Sequence, residues 1–188
     1  MSQYNMQTQK GYDFFEVSSA FQKSIRRGDE DVALFMAVEL ENSNYGEYAW
    51  KRLRIIASED VGLAEPMMPA NIHALYDMYK EQKKKKDDRS GSERLFLIHA
   101  VLLLCRARKS RLVDWAIIAL WNEHPKRRIE IPDYAFDKHN QKGRSMGRGL
   151  RHFYDEGTKL ENHTPLAREE EFKKRAFEAE TGPQGNLL

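Results

Sequence analysis

The sequence is poor in cysteine: Cys105 is its only one, so no disulfide can form within the chain. A framework without disulfides fits a reducing compartment and leads us to expect a cytoplasmic protein. Cys105 lies in the apolar run Leu95–Cys105, where a small buried core residue is expected rather than a reactive thiol. Long apolar runs are also missing. None approaches the roughly 20 residues that a membrane span needs, and the opening MSQYNMQTQKGYD has no signal-peptide core. No membrane partner is expected. An excess of one charge is absent too: 31 Lys and Arg face 29 Asp and Glu, a net of +2. Any affinity for nucleic acid must therefore come from local clusters rather than from the field of the whole protein.

Catalytic signatures are equally scarce. The chain has no G-x-x-x-x-G-K-[ST] phosphate loop, which excludes ATP hydrolysis of the P-loop kind by these residues. H-E-x-x-H, C-x-x-C and G-x-S-x-G are likewise missing. Gly143, Gly147 and Gly149 have no strand before them, so they do not form a dinucleotide-binding turn. The expectation is a non-enzymatic protein without cofactor or resident metal.

What is present is helical periodicity. At 188 residues, 32% charged and 40% apolar, the chain is long enough to bury a core of its own. Residues 1–11 read as a disordered leader. From Tyr12 a first helix carries Phe14, Phe15, Ala20, Phe21 and Ile25 mainly on one face and stops at Gly28. Asp29 caps a second helix with Val32, Ala33, Phe35, Met36 and Leu40. A third places Tyr48, Ala49, Leu53, Ile56 and Ala57 inward and Lys51, Arg52 and Arg54 outward, ending near Ser58-Glu59-Asp60. Carboxylates at a helix C-terminus are unfavourable unless compensated, which predicts pairing with Arg52 or Arg54. Pro69 and Asn71 open a fourth helix with Ile72, Leu75, Tyr76 and Tyr79, which runs into Lys83–Lys86. The break at 87–91 follows, then the apolar segment Leu95–Cys105, expected to be the central helix. A further helix holds Val113, Trp115, Ala116, Ile117, Leu120 and Trp121; its tryptophans, like Trp50, are expected in the core. Residues 165–180 read as a charged helix with Leu166, Phe172 and Phe177 as its apolar contacts, and the last eight residues as loose. With no sustained alternation, the fold class is all-α: a bundle of about six to eight helices. The helical domain is placed over 12–155 and the charged helix and tail over 156–188.

Residues 137–149 change character, being glycine-rich, basic and poor in apolar side chains. Lys138, Lys142, Arg144, Arg148 and Arg151 form a candidate phosphate- or DNA-binding set, since guanidinium forks suit phosphate oxygens and glycine lets amides approach them. The bland alternative is a basic turn that packs on the bundle or meets acidic groups of a neighbouring subunit. A third reading, a metal-assisted hydrolase or nuclease, would use His139, His152 and Asp155, with Asp137 nearby, although their spacing matches no compact ligand motif.

Three segments together resemble one family. Lys23-Ser24-Ile25-Arg26, followed by Asp29, Asp31, Ala33 and Leu34, is similar to a K-S-[IV]-R-G-S-D-x-D-A-A-L signature in the C-terminal region of RarA/MgsA/WRNIP-type AAA+ ATPases. Ile56-Ala57-Ser58-Glu59-Asp60-Val61-Gly62-Leu63-Ala64-Glu65-Pro66 resembles that region's I-A-S-E-D-I-G-L-A-D-P. Ala107, Lys109 and Ser110 resemble its A-P-K-S-N turn, with Arg108 in place of the proline and Arg111 in place of the asparagine. The resemblance implies a clamp-loader-collar-like helical domain that follows an ATPase core and assembles tetramers in proteins of stalled replication forks. It implies structural roles for Lys23, Ser24, Arg26, Ser58, Glu59, Asp60, Gly62, Lys109 and Ser110, and no catalytic residue. The expectation is a stand-alone relative lacking the ATPase core. It would be an oligomerising adaptor of DNA replication, recombination or repair, a homotetramer or dimer, with a separate ATPase or replication protein as a further partner. Direct DNA binding through the basic loop is the alternative.

Overall fold

A computed structural model describes residues 6–84 and 91–182. Lys85 and Lys86, the break at 87–90 and the final residues 183–188 lie outside the described residues. The chain divides into two compact units, 1–127 and 128–188, whereas the sequence placed one helical domain over 12–155 and a tail after it. Among the described residues all regular structure is helical, apart from one isolated bridge between Gln7 and Asp13. The all-α expectation holds.

The first unit is a bundle of α1 (Phe14–Arg27), α2 (Glu30–Asn42), α3 (Gly46–Ile56), α4 (Met68–Lys83), α5 (Glu93–Arg106) and α6 (Leu112–Glu123). Asp13 starts α1 by accepting from the amides of Phe15 and Glu16 at 2.8 and 3.0 Å, which satisfies two of the orphan donors of a helix start. Gly28 ends it, its amide bonding to Ile25 O at 3.1 Å while that of Asp29 reaches Ser24 O at 2.9 Å. Asp29 then caps α2 through the Val32 amide, so α1 and α2 form a tight helical hairpin.

The apolar segment forms the middle of the bundle as expected: α5 packs against α1, α2, α3 and α4, burying Leu97, Ala100, Val101, Leu104 and Cys105. Phe21, Ile25, Leu40, Trp50, Leu53, Ile72 and Tyr79 complete the core. Each large side chain of this kind contributes about 2–3 kcal/mol of transfer free energy. Trp50 packs its ring against Tyr76 and Tyr79 at 5.4 and 5.2 Å.

Three expectations need correction. The described part of the leader is pinned: Phe14 N bonds to Met6 O, and the Lys10 amide donates to the buried Glu39 carboxylate at 2.9 Å. Phe15, expected inward, is 64% exposed, and Val17 is buried in its place. Trp115 and Trp121 are not core residues. They are 58% and 75% exposed, and α6 has no buried residue at all.

The second unit contains a short helix α7 (Gln141–Ser145), α8 (Leu150–His152) continuing into a π-helical turn (Phe153–Gly157), and α9 (Glu169–Thr181). The predicted basic loop thus includes a helical turn, capped by Asn140 on the Gly143 amide at 2.9 Å. Phe153 meets Tyr154 and Tyr154 meets Phe177, both edge to face. Among this unit's described residues only Gly143 is buried. A side chain there would strike the backbone of Asp137, so the glycine permits a close chain crossing.

Candidate functional site

The three motif segments converge in the first unit. After α3 the chain widens into a π-helical turn, Ala57–Val61, whose Glu59 and Asp60 project toward α1 and the start of α6. Single π turns of this kind are frequent at functional positions. Arg26 of α1 donates from Nε to Asp60 Oδ1 at 2.7 Å and from Nη2 to Glu59 Oε1 at 3.0 Å. Arg52 of α3 approaches Glu59 Oε2 at 3.5 Å. Arg111, just before α6, donates to Glu59 Oε1 at 3.3 Å, faces Asp60 Oδ1 at 3.4 Å and pairs with Asp114. Asp60 has no exposed surface, and its hydrogen bond holds the Arg26 guanidinium above its ordinary pKa.

Arg52 therefore compensates the turn as the charges predicted. Arg54 does not; its guanidinium lies 4.3 Å from the ring centroid of Tyr76. Arg111, which the sequence showed only as a departure from an expected asparagine, supplies the third guanidinium. Sequence spacing gave no sign of this, because Arg111 and Glu59 are brought together by the fold.

The remaining motif residues frame the cluster. The Ser110 amide donates to Asp60 O at 2.9 Å. Lys109 Nζ caps the end of α5 through Cys105 O at 2.8 Å and Ala107 O at 3.2 Å. Gly62 has φ +48°, and a Cβ on it would lie 3.2 Å from Val113 Cγ2, so the turn needs glycine both for its backbone and for α6 to sit close. Ser24 is buried and bonds to Phe21 O; Ser58 and Lys23 are exposed. The cluster thus fixes where α6 leaves the bundle. Within the first unit α6 packs on the π turn, on the residues 62–64 that follow it and on its own C-terminal turn. It leaves Leu112, Trp115, Ile117, Ile118, Leu120 and Trp121 open.

In the second unit each member of the basic set has a position. Lys138 binds Glu180 at 2.6 Å, and Lys142 Nζ lies 3.9 Å from the centroid of Phe136. Arg144 donates to Lys138 O at 3.1 Å. Arg148 grips the Asp133 carboxylate through two 2.8 Å bonds and the carbonyls of Asp133 and Phe136 at 2.8 and 3.1 Å. Arg151 is largely exposed, with Asp155 at 3.7 Å. His139 pairs with Asp137, lowering that carboxyl below its ordinary range, chiefly through the His139 amide. Asp155 pairs with Arg151 instead, and no group of three or more His, Cys, Asp or Glu able to hold a metal occurs among the described residues. In the first unit, Lys83 at the end of α4 is engaged by Glu41 and the Tyr79 hydroxyl. No helix among the described residues is long and apolar enough to cross a membrane.

A helical bundle with an outward apolar helix defines an all-α helical module. The sequence model of the family described as MgsA AAA+ ATPase C terminal matches residues 28–181, and the chain belongs to that family. It is 32% identical over 159 residues to the replication-associated recombination protein A of Bacillus subtilis, covering 80% of this chain and 36% of the relative. An uncharacterised AAA domain-containing protein of Mycobacterium tuberculosis is 30% identical over 156 residues, 78% of this chain and 32% of its own length. The replication-associated recombination protein A of Haemophilus influenzae is 28% identical over 131 residues, with coverages of 69% and 27%. The chain spans about a third of the length of the curated relatives it matches.

Proposed function

We propose that the chain is a non-enzymatic, self-associating helical module of a cytoplasmic system for replication-associated recombination or repair. The system is suggested by the names of its Bacillus and Haemophilus relatives. The assembly role is carried by α6. A helix apolar around most of its circumference belongs inside a structure, yet α6 partly covers Val113 and keeps Leu112, Trp115, Ile117, Ile118, Leu120 and Trp121 about half exposed or more. Contiguous apolar surface of this extent marks an interaction site. A separate ATPase or replication protein is the further partner that this membership suggests.

Light scattering on the full chain at tens of micromolar tests the reading. A dimer or tetramer is expected, reduced toward monomer by Trp121→Glu with the helical circular dichroism unchanged. A wild-type monomer at those concentrations would remove it.

Direct DNA binding is the second reading, favoured by the exposure of Arg151 and carried with it by Lys138, Lys142, Arg144 and Arg148. Arg148 and Arg144 also hold their own backbone, so the informative change is Lys142→Ala with Arg151→Ala. A phosphate contact predicts weaker, less salt-dependent binding after that change, and unchanged affinity would dismiss the loop.

A further inference from the structure

The first unit carries a second unpartnered apolar surface, on the outer side of the α1–α2 hairpin. Phe15, Ser19, Lys23 and Arg27 follow one another at four-residue intervals along α1 and line a groove of about 610 Å³, with Val32 of α2 on its other side. Tyr12 and Phe35, edge to face at 6.4 Å, continue the exposed apolar surface beyond it. Phe15, Ala20 and Val32 supply the groove's apolar lining, and its charged rim mixes Lys23 and Arg27 with Glu16 and Asp29. Neither Lys23 nor Arg27 has a carboxylate partner among the described residues.

We propose that this groove receives α6 of a second copy, so that self-association runs head to tail rather than through paired α6 helices. The inference rests on the self-association reading above and adds its geometry. Shape favours it: α6 stands out as a convex rod, and the groove between two helices is the concave counterpart that such a rod fills. Area favours it as well. Two half-exposed tryptophans and four aliphatic side chains present on the order of 600 Å² of apolar surface, against about 800 Å² per partner in a standard interface. A side-by-side pair of α6 helices would cover one face of each and leave the other wet, whereas a groove encloses more of the circumference. Charge agrees. Helix α6 contains no lysine or arginine; Asp114 is already engaged by Arg111, so Glu123, held only by a long 3.8 Å pairing with Arg127, is the carboxylate left to meet Lys23 and Arg27. Ile117, Ile118 and Trp121 share a face at three- and four-residue spacing and serve as the inserting anchors.

A rod and a groove on the same rigid unit make a heterologous contact, which propagates around a ring until it closes. This has a decisive test with the full chain. Trp121→Glu removes the rod and Phe15→Glu spoils the groove; both side chains are exposed, so circular dichroism should confirm intact folding. Each variant alone is expected to be monomeric by light scattering. Mixed in equal amounts they should form a one-to-one dimer, because the groove of the Trp121→Glu chain and the rod of the Phe15→Glu chain are both intact. A charge-swap pair, Lys23→Glu with Arg27→Glu against Glu123→Lys, should restore part of the affinity that either side loses alone. If Phe15→Glu assembles as well as wild type, or the mixture stays monomeric, the head-to-tail arrangement is overturned and the groove belongs to a different ligand or to none. A monomeric wild type would instead overturn the self-association reading itself.

Discussion

Arg26 Nε donates to Asp60 Oδ1 at 2.7 Å, and that carboxylate has no exposed surface. Removing this charge costs Arg26 and Arg111 one anionic acceptor each, while Glu59 and Asp114 continue to face them. Asp60→Asn keeps the shape but strips the negative charge that Arg26 and Arg111 face. It is expected to lower the unfolding free energy by about 1–2 kcal/mol, the scale of a lost charge-assisted hydrogen bond discounted for partial exposure, read from urea titration. Ser58→Ala, two residues away and solvent-facing, should stay within about 0.5 kcal/mol of wild type.

Cys105 provides a chemical check on the packing of α5. Burial pushes its thiol up to about 11, against a smaller opposing effect of Lys109. Only the thiolate attacks disulfide reagents, so at pH 8 the folded protein should react with an aromatic disulfide reagent far more slowly than the urea-unfolded chain. Equal rates would mean that α5 is not held in the core.

Acidification should release the N-terminal turn before the bundle. Burial pushes the Glu39 carboxyl up, but hydrogen bonds from the Thr8 hydroxyl and the Lys10 amide, helped by the Lys10 charge, outweigh it and hold the group below its ordinary value. A depressed carboxylate contributes stability above its unfolded pKa and loses it as pH falls through the folded one. Amide protection at residues 8–14 is therefore expected to collapse below about pH 4, while that of α5 persists.

Within the basic segment, two arginines should behave differently. Arg148 is tied to the Asp133 carboxylate and to two carbonyls, whereas Arg151 makes one long, exposed pairing. Arg148→Ala should expose residues 133–148 to trypsin and destabilise the second unit, and Arg151→Ala should do neither. Limited proteolysis followed by mass spectrometry distinguishes them.

The sequence made the local rules visible and hid the distant ones. Asp29 and Gly28 mark the α1–α2 joint because capping is decided within a few residues. Arg52 could be matched to Glu59 because an uncompensated carboxylate at a helix end demands a cation close by. Arg111 could not, since 52 positions separate it from Glu59 and only the fold returns it there. The pinning of Lys10 by Glu39 was hidden for the same reason. Trp115 and Trp121 show a different limit. Periodicity says that a side chain should be covered, but not whether the cover comes from the same chain. The convergence of Arg26, Asp60 and Ser110 was legible only through the family resemblance that grouped their segments.

The π-helical turn at Ala57–Val61 also makes the fold sensitive to the length of the chain there. Its extra residue sets the angular phase at which Gly62 meets Val113. Losing one residue would restore an ordinary helical repeat and swing everything after it by about 100°, turning Gly62 away from α6 and Asp60 away from Arg26. Deleting any one residue from 57 to 61 is therefore expected to unseat α6 from the bundle, whereas Ser58→Ala, on the solvent side, leaves it in place. In this stretch the number of residues, as well as their identity, sets where the following helix goes.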